Sequence, residues 1–175
     1  LEKAIDKAIK QLGKLQRIEA ASEIKAEKEI KWSEVKDLYE AIGRKDPELI
    51  DRPLLYEYNT WRAMEVLNDN IETYPHLKFD LDGQPNTTAP GKMADMEVEF
   101  DNFWLVVEVT LQTGMKQFEA EGESIYRHTG TFQKERLKQG DKRPVYGLFL
   151  AERINENVKN YLRGISVMPS KAYSG

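Results

Sequence analysis

The chain of 175 residues contains no cysteine. Disulfides, thiolate metal sites and a cysteine nucleophile are therefore excluded, and the composition suits a reducing compartment. Histidine is nearly absent too, with only two copies. A metal site would then be built mostly from oxygen, which favours Mg²⁺, Mn²⁺ or Ca²⁺ over Zn²⁺. No apolar run approaches the roughly 20 residues that span a bilayer. The opening LEKAIDKAIK has no signal-peptide core, so a cytoplasmic chain with no membrane partner is expected. Positive charge is not in excess either: 26 Lys and Arg against 30 Asp and Glu leave a net −4. That balance speaks against a bulk nucleic-acid binder, which usually carries a basic patch. What is present is 40 % hydrophobic and 32 % charged residues, enough for one core under a well-charged surface.

Residues 1–30 carry Ile5, Ile9, Leu12 and Ile18 near one stripe, which predicts a helix. A second helix is expected from Ser33, as N-cap, to Ile42, with Gly43 ending it. GRKDPELIDRP holds two prolines and reads as a linker. Residues 1–50 thus form a helical arm or linker, either a solvated arm or a connector to another module, and residues 51–175 form the main domain. LLYEYNTWRAMEVL is helical, with Tyr58 and Trp61 toward one side. HLKFDLD alternates like a half-buried strand, and GQPNTTAPG reads as a loop. ADMEVEF alternates again, with Ala94, Met96, Val98 and Phe100 opposite Asp95, Glu97 and Glu99. FWLVVEVTL is nearly continuous in apolar residues, as a central strand would be. A helix is expected from Met115 to about Leu137, then a strand in RPVYGLFLAE, a helix in INENVKNYL and a last short strand in GISVMP. The order predicts an α/β fold, in the α+β sense of a mixed sheet with helices packed on it.

The acids in this pattern pose the chemical question. If Asp101 and Asn102 form a two-residue turn, opposed residues sum to 203 and Asp95 faces Glu108. Their Cβ atoms would then lie about 4.5–5.5 Å apart, where like charges destabilise a sheet. Either the face is wet or a divalent cation sits between them. Two carboxylates, a backbone carbonyl, a phosphate oxygen and waters would complete a Mg²⁺ shell. Glu97 and Glu99 are expected simply to be solvated. Glu57 lies four before Trp61, near the buried side of its helix. Glu121 and His128 are seven apart, close to two helical turns, with Gln117 on the same face.

These segments, YEYNTWRAMEVL, APGKMADMEVEFDNFWLVVEVTLQTG and KQFEAEGESIYRH, resemble the cleavage domain of type IIS restriction and nicking endonucleases of the AlwI/MlyI-like group, over roughly residues 53–169. That group lies in the PD-(D/E)xK nuclease superfamily, whose core runs helix, three strands, helix, strand. The resemblance implies that residues 51–175 are a nuclease catalytic domain and that Asp95 and Glu108 bind metal. It adds Glu121, His128 and Glu57 as further active-site members, and sets Pro90 and Gly91 at the start of the superfamily motif. At the position of the superfamily's usual lysine stands Thr110; in this group Glu121 and His128 replace it.

The resemblance further implies a bacterial cytoplasmic enzyme hydrolysing double-stranded DNA with Mg²⁺, for which Mn²⁺ can substitute, to 5′-phosphate and 3′-hydroxyl ends. In that reading the metal polarises the scissile phosphate and lowers the pKa of water, while His128 accepts a proton or holds the attacking water. Lys92 and Lys116 are either phosphate contacts or plain surface residues. No helix-turn-helix, zinc finger or basic recognition helix is evident, so a recognition domain or second subunit is expected, joined through residues 1–50. The alternatives are a structure-selective repair nuclease on the same core and an inactive interaction module.

Overall fold

Asp51 starts the segment that anchors the fold. Its side chain accepts the Leu54 N–H at 3.1 Å, the N-cap arrangement that satisfies an orphan donor of the first turn. A computed structural model describes residues 2–26, 28–67, 70–80, 83–91 and 93–166. The elements are α1 (Glu2–Ala26), α2 (Lys28–Arg44), α3 (Arg52–Leu67), β1 (Glu72–Pro75), β2 (Lys78–Phe79), β3 (Pro85–Thr87), β4 (Met96–Glu99), β5 (Trp104–Thr110), α4 (Gly114–Glu121), α5 (Ser124–Lys138), β6 (Val145–Ala151) and α6 (Glu156–Ser166).

The main sheet has the order β1-β4-β5-β6. β1 and β5 run antiparallel to β4, while β6 runs parallel to β5. Every β4–β5 pair sums to 203, from Met96–Val107 to Glu99–Trp104. Phe100 N–H donates to Phe103 O at 3.0 Å across the turn, and the two rings stack at 4.3 Å. β5 is covered on both faces. Met96, Val98, Val107 and Val109 pack with Trp61, Ala63 and Val66 of α3, and Ile24 of α1 and Val35 of α2 join that cluster. On the other face Trp104, Val106, Val145 and Phe149 pack with Ile125 of α5 and Val158 of α6. The result is the mixed α/β architecture expected, helices on both faces of a mixed sheet.

Several local expectations are corrected. α2 begins at Lys28, so Ser33 is inside a helix and caps nothing. The first core strand is β1, ETYP, which no alternation announced. HLKFDLD contributes only Lys78–Phe79, paired with Pro85–Thr87 in a separate two-stranded sheet, so the GQPNTTAPG loop also holds a strand. Leu81 and Asp82 lie outside the described residues. The single helix expected from Met115 is two, α4 and α5. A Cβ on Gly122 would stand 2.6 Å from Phe118 O, so glycine is what permits the close return of the chain at that break. The GISVMP strand is not formed at its start, because α6 continues through Ser166, and Val167–Pro169 lie outside the described residues.

Candidate active site

The two-residue turn and the 203 register carry Asp95 and Glu108 onto the sheet face that receives α5. Asp95 precedes β4, and its N–H donates to Val107 O at 3.2 Å. Its Oδ2 accepts the Val109 N–H at 2.6 Å. Both acids are buried, at 9 % and 5 % exposure. Burial raises Asp95 to about 7, helped by Glu121 and opposed by the Val109 N–H and by His76. Burial raises Glu108 to about 9, with Asp95 and Glu121 adding to the rise and Arg127 opposing it. Glu57, on α3, is also buried and accepts the Ala89 N–H at 3.0 Å. Burial, then Asp95, lift it to about 8. The carboxyls are therefore electrostatic neighbours that disfavour one another's ionisation.

His128, buried on α5, turns Nδ1 to Glu108 Oε1 and Nε2 to Arg127 Nη1, the latter at 2.9 Å. Neither ring nitrogen is free for water in this arrangement. Burial and the neighbouring Arg127 lower its pKa. Glu121 ends α4 instead of sharing a helix with His128, and its Oε2 accepts from Ser124 Oγ at 3.3 Å. The one-helix argument for that pair is thus corrected, although Glu121 still acts on Asp95 and Glu108.

Gln117 is not a site residue. Its fully buried amide donates to Gln112 O and Arg153 O at 2.8 and 2.9 Å and accepts the Asn155 N–H at 2.7 Å. Glu97 and Glu99 are not simply wet. Glu97 pairs with His76, and Glu99 accepts from Arg143 at 2.7 Å and Tyr74 at 3.2 Å. Lys116 is exposed, and Lys92 lies outside the described residues. Thr110, at the superfamily's lysine position, is buried, and its Oγ1 accepts the Gln112 N–H at 3.1 Å.

Among the described residues no three His, Asp or Glu side chains converge as a complete metal cage. Asp95 and Glu108 are instead two buried hard-oxygen donors whose ionised forms burial and mutual repulsion disfavour. That chemistry fits Mg²⁺ or Mn²⁺, which keep several waters and borrow substrate oxygens.

The profile of the AlwI restriction endonuclease family matches residues 4–173. The chain belongs to that family. No curated protein matches it. Among solved structures, the AlwI-family chain is similar to the small subunit of the heterodimeric restriction endonuclease R.BspD6I, with 28 % identity and a TM-score of 0.63 over 74 % of this chain and 64 % of that subunit. The likeness bears out the restriction-endonuclease-like core.

Two residues of this AlwI-family site had no local sequence signal. His76 follows β1, donates its N–H to Asp95 O at 2.9 Å and faces Glu97 from 21 residues away. Arg127 stands beside His128 in the chain, and consecutive helical residues normally diverge.

Proposed function

We propose that this chain is the DNA-cleaving domain or subunit of a type II restriction or nicking endonuclease, hydrolysing phosphodiester bonds with Mg²⁺, for which Mn²⁺ can substitute. The carrying observation is the pair Asp95 and Glu108, buried together against α5 with raised pKa values. Those two side chains would hold the metal. When bound, the cation supplies Lewis acidity to the scissile phosphate and to the attacking water.

The rest follows from the chain's own residues. The Val109 N–H holds one oxygen of Asp95 and leaves the other for ligation. His128 holds Oε1 of Glu108 in the same way. Glu57, held near 8 by burial and Asp95, is matched to take up a proton at neutral pH. Glu121, beside Asp95 and Glu108 in charge, adds negative potential that draws a divalent ion in.

One such centre cuts one strand. The structural relative is described as half of a heterodimer, which supports a second subunit or recognition domain here. Exposed Ile5, Ile9, Leu12, Leu15 and Ile18 on α1 offer it an apolar surface. No helix among the described residues is long and apolar enough to cross a membrane. The family and that relative favour restriction over repair of branched DNA.

The test is cleavage of supercoiled plasmid by the full chain, with and without its partner subunit, in Mg²⁺. Asp95→Asn and Glu108→Ala should each abolish cutting while circular dichroism stays unchanged. Unaltered cutting by both variants sinks the mechanism. No cutting by the wild type on linear, nicked or branched DNA favours the interaction-module reading.

A further inference from the structure

We propose that the outer row of α5, Arg127, Thr131, Lys134 and Lys138, is the track that holds the phosphate backbone of duplex DNA and leads it to the site of Asp95 and Glu108. This rests on the reading of the chain as a DNA-cleaving unit and names the surface that grips the substrate.

The four residues stand at i, i+4, i+7 and i+11, so they fall in one row along the helix. All four are exposed. Eleven residues at the helical rise make the row about 16 Å long, the rise of about five base pairs along a duplex. The charge of α5 is one-sided as well. Arg127, Lys134, Arg136 and Lys138 stand against the single acid Glu135, a net +3 in a chain whose total is −4. Arg136 is taken by Asp141 at 2.7 Å and lies over the Trp104 ring at 4.3 Å. Arg127 Nε donates to Glu123 Oε2 at 2.9 Å. Lys134 and Lys138 form no ion pair among the described residues. Like charges one turn apart weaken a helix, so helix stability does not account for these two lysines, whereas a polyanion does.

The row runs out from the site. Arg127 Nη1 lies 2.9 Å from His128 Nε2, and His128 in turn meets Glu108. Thr131 and His128 line one cleft with Ala94, the neighbour of Asp95. Glu135 and Glu97 line it too, and Glu97 is paired with His76. These acids, with Glu123, border the inner part of the row and leave Lys134 and Lys138 as its open cationic end. Such an end answers a need of the site. Its carboxyls meet a polyanion, and β5 offers no cation, because Thr110 stands where the superfamily has lysine and is buried. Lysines that touch phosphates fix position on the duplex without reading bases, which suits a cleaving unit whose sequence recognition lies in another domain or subunit.

The test is binding of a labelled DNA duplex to the full chain in chelator, by fluorescence anisotropy, between about 0.05 and 0.2 M salt. Affinity of the wild type should fall as salt rises. Lys134→Gln combined with Lys138→Gln should make the slope of log K against log salt shallower by about 1.8, and weaken binding about eightfold per lysine at 0.1 M salt, the counterion-release contribution of one phosphate each. Lys36→Gln combined with Lys45→Gln is the control. Both lysines are exposed on or just after α2, which packs on the sheet face opposite α5, so net charge changes equally and the slope should stay at the wild-type value. A wild type that binds no duplex overturns the track, as does an α5 variant whose slope matches the control. An α5 variant that keeps its DNA slope but loses affinity for the partner subunit in sedimentation assigns the row to subunit docking and overturns it too. The nuclease reading is judged apart. Plasmid cutting with an unchanged slope in the α5 variant keeps cleavage and removes the track. Salt-dependent binding that the α5 variant weakens, with no cutting by the wild type, keeps the track and removes the nuclease reading.

Discussion

Replacing Gln117 with leucine removes a tie between two loops at nearly constant volume. The side chain has no solvent exposure and makes three bonds: two from Nε2, to Gln112 O and Arg153 O, and one accepted by Oε1 from the Asn155 N–H. Those partners lie just beyond the C-terminal ends of the parallel strands β5 and β6. Each lost bond costs about 1 kcal/mol net, and more where the abandoned group stays dry. The sum is about 3–5 kcal/mol, a large part of the roughly 5–15 kcal/mol available to a domain. At about 2–4 °C per kcal/mol for a chain of this size, Tm should fall by roughly 6–20 °C. Thermal and urea unfolding followed by circular dichroism measure it. Gln117→Glu should do no better, because it keeps one acceptor but sets a carboxylate against two carbonyl oxygens. A leucine variant within about 1 kcal/mol of the wild type would refute the bookkeeping, since it would mean that water replaces all three bonds.

Gly147→Ala should destabilise by about 1–3 kcal/mol through overpacking, because its Cβ would stand 2.8 Å from Thr129 Oγ1 and 3.0 Å from Ile125 Cγ1; urea midpoints read the loss. Trp61→Ala should cost about 3–5 kcal/mol, since the ring is fully buried against Phe79 at 5.2 Å and Tyr58 at 5.7 Å; an unfolded variant at 37 °C agrees, and an unchanged Tm does not. In chelator, stability should fall as pH rises from about 4 to about 9: Glu57, Asp95 and Glu108 all have raised folded-state pKa values, so their stabilising contribution is complete below the unfolded values near 4 and is lost as they ionise. Added Mg²⁺ should flatten that slope, and Tm against pH with and without the ion decides the matter.

The parts of this fold that the sequence announced are those where neighbouring residues carry the signal. The period of two in ADMEVEF and the DN turn are enough to set the β4–β5 register, and with it the shared face of Asp95 and Glu108. β1 was illegible because ETYP has neither alternation nor an apolar run; it is a strand because β4 supplies its partner. Gly122 was visible, but a glycine in a helical pattern marks either a tolerated flaw or a break, and only the Phe118 contact decides which. Glu97 and Glu99 looked solvated because His76 and Arg143, their partners, come from 21 and 44 residues away. Glu121 and His128 were placed beside the pair by an argument from one continuous helix, and they remain beside it across a break.

The stacked Phe100 and Phe103 cap the hairpin whose turn fixes which residues meet. Gain or loss of a single amino acid between them would rotate one arm by half a period relative to the other. Carboxylates would enter the layer filled by Trp61, and valines would take the face that carries Asp95 and Glu108, with composition almost untouched. In descendants of this chain, length variation should therefore be scarce at this tip, whereas conservative exchanges of Asp101 and Asn102 should be common.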